Sequence, residues 1–383
     1  MRESQRYTWL GPAEVEHRID RDQLRVRSAV EGLVEPPMLR ALILAGGYGR
    51  GEGGYRWADG QPLPFNDYDY FIVVSRVGRR ALRRLRERLA VLGHQLSAEL
   101  GLEVDFAVLA EERLPHLPHC LMYSELKWRH RTLVGDSSCL QAIRSPAPDK
   151  LPLAESTRTM LNRGALLLMN EYSLRNKESL TASGEEQFER YLAKAILASG
   201  EALLASKGNY HPALQIRQLR LSTQLGESGR GFLDLHGQAV EFKYGARSTV
   251  GGGRDREARQ REAVAAWRHG LSVLESSRLS ARLGDWPDYA AAGIDKGQSL
   301  RGRAAPLKHI LLHAIDGRRM AWLRDPSRLT RHPRERLIAA LPLLLQTPGC
   351  EVPAKVKAAL GVAVSADWVQ TTETFLRAWR RYC

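Results

Sequence analysis

The chain has 383 residues, 43% hydrophobic and 26% charged, with a net charge of +14. That is enough for two or three domains with real cores. No apolar run reaches the roughly 18–20 residues that cross a bilayer, and the first twenty residues hold no apolar signal segment, so a membrane span is excluded and a cytoplasmic location is expected. Cys120, Cys139, Cys350 and Cys383 are far apart with no Cys-x-x-Cys pair, which excludes a disulfide framework and a zinc ribbon.

The charge is uneven. Residues 1–150 carry 22 Lys and Arg against 20 Asp and Glu, so an excess of 12 positive charges falls on the remainder. A basic balance favours an anionic partner such as nucleic acid, nucleotide, sugar phosphate or a membrane surface, and equally describes a solvated basic face.

In chain order, residues 12–34 have a helical pattern and Leu39–Ala45 form a short apolar strand. That strand runs straight into six glycines within nine residues: Gly46, Gly47, Gly49, Gly51, Gly53 and Gly54. After "YRWADGQPLPF" comes "NDYDYFIVV", where Asp67 and Asp69 stand at the mouth of a buried strand over Tyr68–Val74. Residues i and i+2 of a strand share a side, so the two carboxylates project together while Tyr68 points away. An Asx turn or cap is the plainer reading of the acid pair taken alone.

Leu82, Leu85, Leu89, Leu92 and Leu96 then recur at helical spacing; the arginines between them are most simply that helix's solvated side, with a nucleic-acid contact as the alternative. Gly101 stops the helix, and "LEVDFAVLA" is a third strand with Asp105 at an otherwise apolar position. An isolated buried charge is costly, so Asp105 is expected to face the same cations as Asp67 and Asp69. "HLPHC", with His116, His119 and Cys120, matches no common zinc spacing. "TLVGDSS" follows as a further strand and turn in which Asp136 reads as a cap residue.

From about 151 the pattern is helical, with Gly208 as a stop, and "STVGGGRDREARQRE" reads as a mobile loop or linker. Three domains are expected: 1–150 catalytic, 151–250 helical and 255–383 mostly helical with no readable role. The fold class is α+β, a small mixed sheet backed by helices and followed by a mostly helical C-terminal region.

Two carboxylates a few ångströms apart repel unless a cation lies between them, and Mg²⁺ takes carboxylate and phosphate oxygens. Three carboxylates can hold two such ions, the arrangement that stabilises both the attacking and the leaving oxygen of an in-line displacement at phosphorus. Glycines without Cβ atoms let backbone N–H groups approach a polyphosphate. The Gly49-x-Gly51-x-x-Gly54 spacing also matches a dinucleotide fingerprint, but the two prolines that follow cannot open the required helix, and a kinase loop lacks its partner motifs.

With its Asp-x-Asp strand and later strand acid, "GGYGRGE" resembles the nucleotidyltransferase fold of the DNA polymerase beta superfamily. The loop is most similar to that of bacterial PII-protein uridylyltransferases. The resemblance covers roughly residues 30–140. It implies that Asp67 and Asp69 bind two Mg²⁺ or Mn²⁺ ions, and that Asp105 binds the catalytic metal and helps to deprotonate the acceptor. It further implies that the loop, through Gly46, Gly47, Gly49 and Arg50, contacts an NTP such as ATP, and that Lys194 of a cleft-closing helical domain reaches the triphosphate. Arg50 can equally brace the loop by pairing with Glu52, and Tyr48 can pack or stack on a base.

The chain departs from the family in having Gly46-Gly47 where many members have Gly-Ser, which removes a hydroxyl contact to phosphate. The insert before the acids is long, and neither the His-Asp hydrolase motif nor the regulatory domains of the uridylyltransferases are expected. The implied activity is transfer of NMP from NTP to RNA, a sugar phosphate or a protein. The alternative is a non-catalytic nucleotide- or nucleic-acid-binding module that keeps the fold.

Overall fold

The computed structural model describes residues 6–150, 152–176, 180–280, 285–291, 307, 309–312, 332–346 and 348–382. Cys383 lies outside the described residues, as does much of the stretch between 292 and 331. The chain divides into two compact units. The first takes Met1–Leu151 together with His211–Leu219 and Val240–Ser248, and the second takes Pro152–Tyr210, Arg220–Ala239 and Thr249–Cys383. Two short segments beyond residue 210 thus belong to the first unit.

In the first unit, α1 (Ala13–Leu33), β1 (Leu39–Leu44) and a four-residue turn α2 (Gly46–Gly49) lead to a hairpin of β2 (Tyr55–Ala58) and β3 (Gln61–Pro64). Then follow β4 (Tyr68–Val74), α3 (Arg79–Leu100), β5 (Val104–Ala110), α4 (Leu121–Trp128) and β6 (Arg131–Gly135). The main sheet has the order β5-β4-β1-β6; β1 is antiparallel to β4 and β6, and β5 is parallel to β4 across the α3 crossover. This is the expected small mixed sheet.

Both faces of the sheet are buried, which is why β1 and β4 read as continuous apolar runs. Leu42, Leu44, Tyr68, Tyr70, Ile72 and Val74 pack with α1 and α3, while Ala41, Ile43, Phe71, Val73 and Leu109 pack with Leu114, Leu126 and Leu140 on the other side. The Tyr68 hydroxyl donates to Asp22 Oδ2 at 2.9 Å and the Tyr70 hydroxyl to Gln23 Oε1 at 2.8 Å, so the two buried phenols are satisfied by α1. α3 ends where expected: Gly101 is left-handed at φ 72° and its N–H bonds Ser97.

One element was not expected. The insert between the glycines and the acids is the β2–β3 hairpin, turning at Asp59 (φ 51°) and Gly60 (φ 73°), the positive-φ pair of a type I′ turn. Pro62 and Pro64 fit because β3 is the edge of a two-stranded ribbon.

The second unit is helical, with α5 (Leu153–Arg175), α6 (Ala182–Ala205) and α9 (Arg256–Leu279) at its centre. α7 (Leu214–Leu225) and α8 (Arg230–Lys243) precede α9, with residues 214–219 of α7 and 240–243 of α8 belonging to the first unit; α10 (Trp286–Ala291), α11 (Arg334–Gln346), α12 (Ala354–Leu360) and α13 (Trp368–Tyr382) follow it. Small residues let large ones in: a Cβ on Gly164 would collide with the ring of Trp267, whose Nε1 donates to the Met160 carbonyl at 2.7 Å. The expected mobile loop or linker is corrected where α9 takes its second half and where Val250 is tied down. Asp255 caps α9 through the Ala258 N–H, the helix starts at Arg256, and the buried Val250 donates its N–H to Glu189 at 2.7 Å. Among the described residues no helix is long and apolar enough to cross a membrane.

Candidate active site

Asp67 lies immediately before β4 and Asp69 is its second residue; both are half-buried. In the parallel β4–β5 ladder Asp69 is the register partner of Asp105, which is exposed and so not the buried charge that its apolar neighbours suggested. Neighbouring strands run about 4.8 Å apart and register partners share a sheet face. Asp69 and Asp105 are therefore side by side on the face opposite the phenols of Tyr68 and Tyr70, and Asp67 precedes Asp69 by the two-residue period of the same strand. Tyr70 and Phe106, the next pair along, are on the phenol face, with their rings stacked at 5.3 Å.

Gly46 closes the arrangement from the β1 side. The Ala45 N–H bonds the Asp69 carbonyl at 2.8 Å, which holds the end of β1 against the acid strand. Gly46 is left-handed at φ 60°, and a Cβ there would collide with Asp69 Oδ2. Gly47 has nothing closer than 3.5 Å to the place of its missing Cβ. Asp67, Asp69 and Asp105 are thus brought to one end of the sheet together with Gly46 and Gly47. Lys194 is on α6 in the second unit, half-buried.

Most of the other glycines serve packing. A Cβ on Gly49 would meet the Leu44 carbonyl, one on Gly53 the ring of Tyr48, and one on Gly54 the Lys243 carbonyl. Tyr48 is fully buried; its hydroxyl donates to the Gly54 carbonyl at 2.7 Å and accepts from the N–H groups of Phe65 and Asn66 at 2.9 and 3.2 Å. This removes the base-stacking alternative, because the ring pins the glycine loop to the segment that delivers Asp67. Asp136 is a cap, accepting from the Ser138 N–H at 2.8 Å.

Arg50 braces the loop, pairing with Glu52 at 3.3 Å and Glu125 at 3.1 Å. Glu52 is the centre of a network that its sequence position did not announce. It is 1% exposed, and its Oε1 accepts from Arg129 Nη1 and from the Leu214 N–H, both at 3.0 Å. Lys243 lies 3.9 Å away, and Arg129 Nη2 also donates to the Arg50 carbonyl at 2.7 Å. Burial pushes the Glu52 carboxyl up, but the charges of Lys243, Arg50 and Arg217 with the Leu214 N–H outweigh it and hold the group below its ordinary value. Leu214, Arg217 and Lys243 come from the two short segments that return to this unit. They are more than 160 residues from the loop, so no local pattern could have found them.

Among the described residues no three His, Cys, Asp or Glu side chains already stand close enough to hold a metal ion. Compared with known proteins, the chain matches no family model and no curated protein. Among solved structures it is similar to spectinomycin adenyltransferase AAD(9) from Enterococcus faecialis, solved with ATP and spectinomycin. The identity is 11%, the match covers 67% of this chain and 99% of that one, and the TM-score is 0.41. A likeness of that size adds nothing to the reading of the site, which rests on the residues described above.

Proposed function

We propose that the first unit has the nucleotidyltransferase fold and transfers NMP from an NTP to an acceptor with release of pyrophosphate. The observation that carries this reading is the register pairing of Asp69 with Asp105, with Asp67 two residues earlier and Gly46 against Asp69. Structural acids are seldom paired side by side across strands, because like charges opposite one another destabilise a sheet. A hard divalent cation between them reverses the sign of that interaction, and a set of three carboxylates fits Mg²⁺ or Mn²⁺ by donor chemistry.

In this mechanism Asp67 and Asp69 would hold both ions and Asp105 the catalytic one. The ions would supply charge neutralisation at the triphosphate when bound. The chain's own part is positioning. The turn at Gly46 and Gly47 lets a phosphate approach the backbone beside Asp69, and the Tyr48 and Glu52 contacts keep that turn fixed. Asp105 accepts the proton of the acceptor hydroxyl, whose oxygen forms the new bond to the α-phosphorus as the bond to the β-phosphate oxygen breaks. Lys194 is proposed to reach the triphosphate and Arg50 to act on it indirectly through the loop. The acceptor is proposed to be RNA, a sugar phosphate or a protein, and the location cytoplasmic.

The alternative is a module that binds nucleotide without turnover. Incubation of the protein with each NTP in turn, Mg²⁺ and a cell extract separates the two. The expected result is one acceptor class that gains a nucleotide mass while pyrophosphate accumulates. Metal-independent nucleotide binding with no product from any NTP contradicts transfer.

A further inference from the structure

The outer edge of β5, the open edge of the main sheet, borders a space of about 410 Å³ lined by Arg86, Arg113, Tyr123, Phe106, Ala107 and Leu117 among others. That is at the lower end of the volumes of small-ligand sites, about 300–1,000 Å³. Its polar groups arrive from three separate elements: Arg86 from α3, Arg113 from the 3₁₀ turn Glu111–His116 that follows β5, and Tyr123 from α4. Phe106, Ala107 and Leu117 supply apolar walls. Ala107 follows Asp105 by two residues, so the cavity begins one strand period beyond the acid pair. None of its residues has a part in the proposed transfer.

All three polar groups have bonding capacity that the protein leaves unused. Among the described residues neither Arg86 nor Arg113 pairs with an acid, and the Tyr123 hydroxyl has no hydrogen-bond partner. Arg86 Nη2 donates to the Val108 carbonyl at 3.2 Å, which leaves most of its five N–H donors available. Tyr123 is half-buried, with its ring set edge-on to Phe71 at 6.4 Å. Burial raises the pKa of this phenol and the charge on Arg86 pulls it back, so the two groups are within electrostatic reach of each other. Two cations beside one small space repel, and no carboxylate relieves them. An oxyanion would, and guanidinium forks with a phenol O–H are donors that match its oxygens. An open sheet edge otherwise invites an added peptide strand, but here Arg86 takes a carbonyl that such a strand would need.

We propose that this cavity binds a small organic anion, its phosphate or carboxylate head held by Arg86, Arg113 and the Tyr123 hydroxyl and its carbon body lying on Phe106, Ala107 and Leu117. The inference does not rest on nucleotidyl transfer and is tested without NTP or metal. Full-length protein in EDTA is titrated by calorimetry with phenyl phosphate, benzoate, inorganic phosphate and benzyl alcohol. At least one of the two aromatic anions should bind about tenfold or more tightly than benzyl alcohol, which lacks the charged head, and than inorganic phosphate, which lacks the apolar body. The tighter of the two identifies the head group the site prefers. The double variant Arg86→Gln, Arg113→Gln should weaken that anion about tenfold or more, with an unchanged circular dichroism spectrum. Tyr123→Phe, which keeps the ring and deletes the hydroxyl, should weaken it about fivefold. Equal affinity in the double variant and the parent overturns the proposal, as does the failure of both aromatic anions to bind at about 5 mM. Benzyl alcohol that binds as tightly as either anion also overturns it, because the arginines would then have no part in recognition.

Discussion

At the residue scale, the site is built from charges in two opposite situations. Asp67, Asp69 and Asp105 are like charges gathered on one sheet face, whereas Glu52 is a buried acid surrounded by Arg50, Arg129, Arg217 and Lys243. The Glu52 carboxyl sits below its ordinary value in the folded protein. Its contribution to stability is therefore fully present above the unfolded carboxyl pKa, about 4.3, and is lost as pH falls through the lower folded value. Glu52→Ala should destabilise the protein by about 3–5 kcal/mol at pH 7, because it leaves buried cations unpaired. Thermal melts from pH 7 to pH 3 check both points: the parent should lose stability below about pH 4, and the variant should start lower and lose less. A variant that melts with the parent at every pH would remove Glu52 from the account. The glycines separate in the same way. Gly47→Ala has room and should fold normally, while Gly46→Ala faces Asp69 from a left-handed φ and should cost about 1–2 kcal/mol, measured by denaturant unfolding.

At the scale of elements, the strands and α3 were legible because their signals are local. β1 and β4 are apolar runs of the right length, and α3 shows five leucines at helical spacing with a glycine stop. Gly101→Ala at that stop meets no neighbouring atom, so its effect should be the left-handed backbone alone, about 1 kcal/mol of global stability. A denaturant midpoint equal to the parent's would show that the α3 terminus frays without consequence. The hairpin also carried its signal, since Asp59-Gly60 is a favoured type I′ pair, but two prolines are unusual in a strand and hid β3 within the insert. The acid face was legible from the two-residue strand period, whereas the pairing of Asp69 with Asp105 required the β4–β5 register, which the α3 crossover sets and no short window contains. The Arg50–Glu52 pair was within reach, being two residues apart; Glu125, Arg129, Arg217 and Lys243 were not.

At the scale of the whole molecule, the first unit is discontinuous in sequence. Its loop acid Glu52 depends on Leu214 and Lys243, Tyr55 bonds the Tyr244 carbonyl at 3.2 Å, and Phe65 packs its ring on Phe242 at 5.7 Å. A fragment of residues 1–151 therefore lacks partners for buried groups, and it should unfold well below the full chain in a thermal melt. A fragment as stable as the parent would show that the returning segments are dispensable. The transfer reading is tested most directly by pyrophosphate release from full-length protein in which Asp67 and Asp69 are both replaced by Ala. The parent should release pyrophosphate in an Mg²⁺-dependent reaction, and the double variant should keep its circular dichroism spectrum and lose all of it. Release that persists in a folded double variant would mean that the carboxylates beside Gly46 are not where the chemistry occurs.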